Sequence, residues 1–141
     1  MKNKLLFSIL IALLFVSCYN YKNYRLDGMW QLKTIQDANG NKNTVDTVYY
    51  SFQRETVFSF TVLENPSYTN YPFYGYVDMP SGNKVHVLID NNSAGNDNFK
   101  RFLSISGWSS ADIVFDIKKY NHTNLILFDS GNSKTYTLKK F

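Results

Sequence analysis

Beyond Asp27, apolar and polar positions alternate in short runs separated by clusters of Gly, Asn, Asp and Ser. A period of two marks half-buried β-strands. Residues 28–35 are predicted as the first strand, with Trp30 and Leu32 on one face. The stretch 37–43 (DANGNKN) contains an Asn-Gly pair, a strong hairpin-turn signal. Strands follow over 47–53, where Val48, Tyr50 and Phe52 alternate with Thr47, Tyr49 and Ser51, and over 56–63, where Phe58, Phe60 and Val62 alternate. After a loop over 64–71, residues 73–79 and 84–90 pair around Pro80-Ser81-Gly82-Asn83. The run 99–105 is predicted as a sixth strand and 111–118 as a seventh; two more follow over 125–128 and 135–140. No window shows convincing helical periodicity.

Eight or nine short strands at a spacing of roughly 8–14 residues argue for an antiparallel sandwich or barrel. Closure is favoured because it removes exposed strand edges. The expected fold is an all-β, eight- to nine-stranded antiparallel up-and-down barrel over residues 27–141. An interior of that size is filled by side chains or holds one small ligand.

The pattern before Asp27 is different. Lys2 and Lys4 precede an apolar run over 5–16 that only Ser8 interrupts. A run of about a dozen residues is too short to span a bilayer, which takes roughly 20. It suits the core of a secretory signal. Phe15-Val16-Ser17 before Cys18, the lone cysteine, resembles a lipobox: Ser17 fits closely, Phe15 and Val16 loosely. Residues 1–17 are therefore read as a lipoprotein signal peptide, Cys18 as the acylated N-terminus of the mature chain, and 18–26 as a polar tether. A single cysteine has no intramolecular disulfide partner. Several acyl chains on Cys18 anchor stably, since each buried methylene contributes about 0.8 kcal/mol. No Asp follows Cys18, and no acidic run follows it either, so the periplasmic face of the outer membrane is expected ahead of the cell surface.

Charge changes the picture little. Loss of Lys2 and Lys4 lowers the formal +4 to about +2, and the remaining basic residues are scattered. A nucleic-acid binder would concentrate them on one face, so that class is set aside. Eleven Tyr and eleven Phe favour pleated surfaces over helices.

The search for chemistry yields few candidates. His86 faces away from Val85, Val87 and Ile89, and His122 lies in a turn, so neither offers metal-ligand spacing. Asp112 and Asp116 share a strand face about 13 Å apart, beyond the roughly 5–9.5 Å a glycosidase pair needs. No nucleophile–base motif is present. Asp90, Asn92 and Asp97 lack the terminal Glu of a calcium loop. No catalytic residue, metal or cofactor is expected, and the chain is read as a non-enzyme. The aromatic segment 68–76 (YTNYPFYGY) is the foremost functional candidate, because exposed rings can line a barrel mouth.

Gly28-Met29-Trp30 at the start of the first strand resembles the Gly-x-Trp signature of the lipocalin superfamily, and the 115–117, 125–127 and 136–138 segments resemble the closing hairpins of small lipocalin-like lipoproteins of bacteria. The resemblance covers about residues 26–141. It implies that Trp30 plugs the closed end under a basic residue of the last strand, here Lys139 or Lys140 where the family usually has Arg. A lysine over the ring would make a cation–π contact of about 0.5–1 kcal/mol or more. The function expected is binding of a small hydrophobic or amphipathic ligand, with Tyr50, Phe52, Phe58, Phe60, Tyr71, Phe73, Tyr74 and Tyr76 as candidate ligand residues and Val85 and Val87 facing inward with them. The alternative is a side-chain-filled barrel acting as an envelope accessory. The expected partners are the membrane, through the acyl chains, and a small apolar molecule.

Overall fold

Asp37 turns the chain at the first hairpin: its Oδ1 accepts hydrogen bonds from the backbone N–H of Asn39 and of Asn41, both at 2.9 Å. These bonds hold its carboxyl below the usual range, the Asn41 side chain contributing most. The turn joins β1 (Gly28–Gln36) to a three-residue β2 (Lys42–Thr44), and the chain then resumes along the same edge of β1 as β3 (Val48–Gln53). Part of the stretch expected as turn is thus a short strand. The computed structural model describes residues 26–53, 57–62, 73–90 and 96–141, with the backbone alone for 57–62, 96–98 and 101. Cys18 and the rest of the leader and tether up to Arg25, Tyr71, and the loop 91–95 lie outside the described residues.

Consecutive antiparallel pairing continues through β4 (Val57–Val62), β5 (Phe73–Ser81), β6 (Lys84–Ile89), β7 (Asp112–Tyr120), β8 (Asn124–Asp129) and β9 (Lys134–Lys140). The free edge of β1 then receives β9, from Trp30↔Lys140 to Gln36↔Thr135. The pairing returns to its starting strand, so β1 and β3 to β9 form an eight-strand circuit with β2 as a short appendage. Register shifts at Leu32/Thr34, Asp78/Ser81 and Ile117/Lys119 bend strands locally, as bulges do.

Alternation decides what lies inside. Trp30 and Leu32 of β1, Tyr50 and Phe52 of β3, Val85, Val87 and Ile89 of β6, Ile113 and Phe115 of β7, Leu125 and Leu127 of β8, and Tyr136 and Leu138 of β9 are all buried in one core. Each large apolar side chain removed from water contributes about 1.5–3 kcal/mol.

The expected sixth strand is a helix, α1 (Asn96–Ser106). Phe99, Phe102, Leu103 and Ser106 fall at i, i+3, i+4 and i+7, the spacing of one helical face. Phe102 is buried, and so is Ser106, whose hydroxyl donates to the Leu103 carbonyl at 3.1 Å. Gly107 at φ 70° ends the helix, and the Trp108 N–H bonds back to Leu103 O at 3.1 Å. This is a Schellman-type stop, in which glycine takes the left-handed residue without Cβ strain. Among the described residues no helix is long and apolar enough to cross a membrane.

Candidate functional site

At the end where β1 begins, Trp30 is fully buried and its indole Nε1 donates to the Leu26 carbonyl at 2.8 Å. Tyr120 lies against it, ring centroids 6.0 Å apart. Lys140 Nζ stands 4.4 Å from the indole centroid and donates to the Asp27 carbonyl. Lys139, paired with Gln31 on the neighbouring register position, is exposed. The lysine over Trp30 is therefore Lys140. Gly28 has φ 113°, and a Cβ there would sit 2.5 Å from Lys140 Nζ. A side chain two residues before the tryptophan would displace the cation that covers it.

The other end is closed by α1 and the residue pair after it. Trp108 reaches into the barrel and donates its indole N–H to Tyr50 Oη at 2.9 Å. Rings then follow one another across the interior: Phe73–Phe102 at 4.7 Å, Phe102–Trp108 at 5.5 Å, Trp108–Phe115 at 5.5 Å and Phe115–Tyr136 at 5.4 Å. Gly107 O, just past the helix, accepts from Lys134 Nζ at 2.8 Å, Tyr136 Oη at 3.0 Å and Asn132 Nδ2 at 3.3 Å. The Lys134 cation also suits the negative end of the helix dipole. Burial pushes the Tyr50 phenol well above its ordinary pKa, with Tyr136 adding to the effect and the Trp108 bond opposing it. Burial likewise raises Tyr136 to about 12. Asp129 is buried; Oδ1 accepts the Gly131 N–H at 2.8 Å, and Oδ2 has no hydrogen-bond partner among the described residues.

The residues singled out as ligand candidates divide between two faces. Tyr50, Phe52 and Phe73 are buried in the core, and the side chains of Phe58 and Phe60, like Tyr71, are outside the described residues. Tyr74 and Tyr76 point outward from β5, 53% and 63% exposed. Beside them an open cleft of about 130 Å³ is lined by Tyr74, Gly75, Tyr76 and Asp90. Its position is set by Phe73, whose inward ring meets Phe99 and Phe102 of the helix; the cleft therefore lies on the outer wall beside the helix-capped end.

Two groups of charged side chains pair on the outer wall. His86 Nε2 and Asp112 Oδ1 are 2.7 Å apart, and Ser110 Oγ donates to the Asp112 backbone carbonyl rather than to the histidine. Asp116 bridges Lys84 at 2.7 Å and Lys118 at 3.3 Å, which lowers its pKa, the Lys84 bond first. Among the described residues no group of three or more His, Cys, Asp or Glu gathers to hold a metal. Sequence reasoning overlooked Trp108, Gly107 and Phe102. The readable signal was the 3–4–7 spacing ending on a glycine.

The family described as a lipocalin-like domain matches residues 13–141. Among solved structures, the chain is similar to a lipocalin-like protein from Bacteroides uniformis ATCC 8492: the TM-score is 0.71 and the identity 25%, over 83% of this chain and 99% of that one. It is also similar to an uncharacterized protein from Bacteroides eggerthii DSM 20697, with a TM-score of 0.66 and 22% identity over 82% and 98% of the two chains. This second likeness shows the fold alone. No curated protein matches the chain.

Proposed function

The chain belongs to the lipocalin-like domain family, and on that premise we propose a non-enzymatic binding protein, held by acyl chains on Cys18 at the periplasmic face of the outer membrane, that takes a small apolar or amphipathic ligand at the rim of its helix-capped end. One observation carries the reading: the exposed Tyr74 and Tyr76 rings flank an open cleft, whereas Tyr50, Phe73, Phe102, Trp108, Phe115 and Tyr136 pack on one another inside. A ligand edge laid on the two tyrosines would gain about 25 cal/mol per Å² of apolar area buried. Asp90 lines the same cleft.

The test uses full-length protein released from envelopes in detergent, with Nile red as probe. The dye's fluorescence is expected to rise with the wild type and to stay at background with Tyr74→Ser/Tyr76→Ser. Equal enhancement with both proteins, or none with either, overturns the rim site. A second reading, a packed barrel serving as an envelope accessory through its outer surface, is favoured by the Trp108–Tyr50 bond at the centre of the barrel. Crosslinking in intact envelopes separates the two: a stoichiometric protein partner supports the accessory, and a co-purified small molecule in native mass spectrometry supports the binding protein.

A further inference from the structure

We infer that the Trp30 end of the barrel is a membrane-facing surface, seated on phospholipid headgroups through Lys119, Tyr120, Lys139 and Phe141, with the Tyr74–Tyr76 cleft directed away from the bilayer. The inference rests on the Cys18 anchoring proposed above and adds to it an orientation and a contact surface.

Chain length makes the first argument. The described chain starts at Leu26, which is buried in the core and accepts the Trp30 indole N–H, so the tether departs from this end. Eight residue steps separate Cys18 from Leu26, a reach of at most about 29 Å. The nine residues of β1 span eight steps as well, about 27 Å along the strand. Presenting the opposite end to the bilayer would consume nearly all of that reach along the barrel wall. Presenting the Trp30 end requires none of it.

The chemistry of that end makes the second argument. Phe141 is 76% exposed, and Tyr120 and Met29 are exposed too. The Phe141 N–H bonds to Met29 O, and the Lys140 N–H to Thr123 O, both at 2.9 Å, which gathers Phe141 and the β7–β8 turn into one rim. Lys119 and Lys139 are exposed on the same rim. Among the described residues neither lysine forms an ion pair, the nearby Asp116 carboxylate being bridged by Lys84 and Lys118, and both cations are available for phosphate. Tyrosine rings and long lysine side chains are the groups that settle at a membrane–water boundary, ring or stem toward the acyl region and polar tip toward water.

The test uses the full-length protein isolated from envelopes, its acylation read first from intact mass. Single cysteines introduced by Thr123→Cys at the Trp30 end and Ser130→Cys at the other carry a nitroxide; an acylated Cys18 has no free thiol to compete. In vesicles of phosphatidylethanolamine and phosphatidylglycerol, the label at 123 is expected to collide more with membrane-dissolved oxygen than with an aqueous nickel chelate. The label at 130 is expected to show the reverse order. Lys119→Cys repeats the measurement should the 121–124 turn not tolerate its label. Adding Lys139→Glu is expected to return the Trp30-end label toward its aqueous behaviour. Water-like collisions at both ends, or lipid contact at 130, overturn the orientation. An intact mass without acyl groups overturns the anchoring itself, and so the two failures are told apart.

Discussion

Trp30 and Trp108 close opposite ends of the barrel, the first from within a strand and the second from the segment that follows the helix. Trp30 donates its hydrogen bond to a carbonyl four residues away and takes its cation from the adjoining strand through the β1–β9 ladder. Its closure is a product of strand pairing. Trp108 bonds to a tyrosine 58 positions earlier, and the carbonyl before it is held by donors 25 to 29 positions later. That closure forms only when a helix, a left-handed glycine and two distant strands agree. The strand-built end is one piece with the wall. The helix-built end is a separate part set into the wall, and such a unit can open locally at a free energy below that of global unfolding.

The strongest way to break the comparison is to truncate each indole. Trp30→Ala and Trp108→Ala should each cost about 3–5 kcal/mol, measured by urea unfolding. They should differ with Nile red: Trp108→Ala is expected to admit dye to the interior, and Trp30→Ala to leave its fluorescence near that of the wild type. Equal uptake in the two variants would mean that the ends are energetically alike.

Alkaline pH acts on the helix-built end. The Tyr136 phenol is raised to about 12 in the folded state, against about 10 for an ordinary tyrosine. A raised pKa means that the unfolded chain loses its proton first. The stability is therefore whole below about pH 10 and declines as pH climbs through about 12. The loss attached to Tyr136 is about 2–3 kcal/mol, and Tyr50 shifts in the same direction. Tyr136→Phe should flatten this part of the stability–pH curve in chemical denaturation; an unchanged slope would remove the phenol from the account.

Much of the barrel was legible because period two is a local signal. The alternation through 47–53, 73–79 and 84–90 gave strands whose inward residues are the buried ones, and the Gly-x-Trp start stands at the beginning of β1. The helix escaped because Ser106 counts as polar on paper yet is fully buried, its hydroxyl being satisfied by Leu103 O. Without it, the helical face shrinks to three apolar residues, which an aromatic-rich chain makes easy to mistake for a strand. Trp108 escaped for another reason. It belongs to no periodic element, and its site is made by Tyr50, Phe102 and Phe115, three elements that only the tertiary fold brings together. The outward direction of Tyr74 and Tyr76 was readable from alternation around Phe73 and Val77; the adjoining cleft was not.

Smaller substitutions sharpen the contrast. Gly107→Ala puts a Cβ on a residue at φ 70° and 3.1 Å from Ile35 Cδ1; it should cost about 1–2 kcal/mol, read as a lower melting temperature by circular dichroism. Lys140→Met removes the cation over Trp30 and should cost about 0.5–1 kcal/mol, whereas Lys139→Met should be nearly silent. The reverse order in urea titrations would assign the cap to the wrong lysine.

The ladder between β1 and β9 has a consequence for how the molecule comes into being. Asp27 and Lys140 meet across 113 positions of sequence, so the first strand stays half-paired until β9 arrives. Contacts this distant slow folding because the chain must be closed into a long loop before any of them is gained. A ribosome or translocation channel still holding β9 would also hold the cylinder open. A chain clipped before Lys134 would keep an unsatisfied β1 edge, a ready template for aggregation.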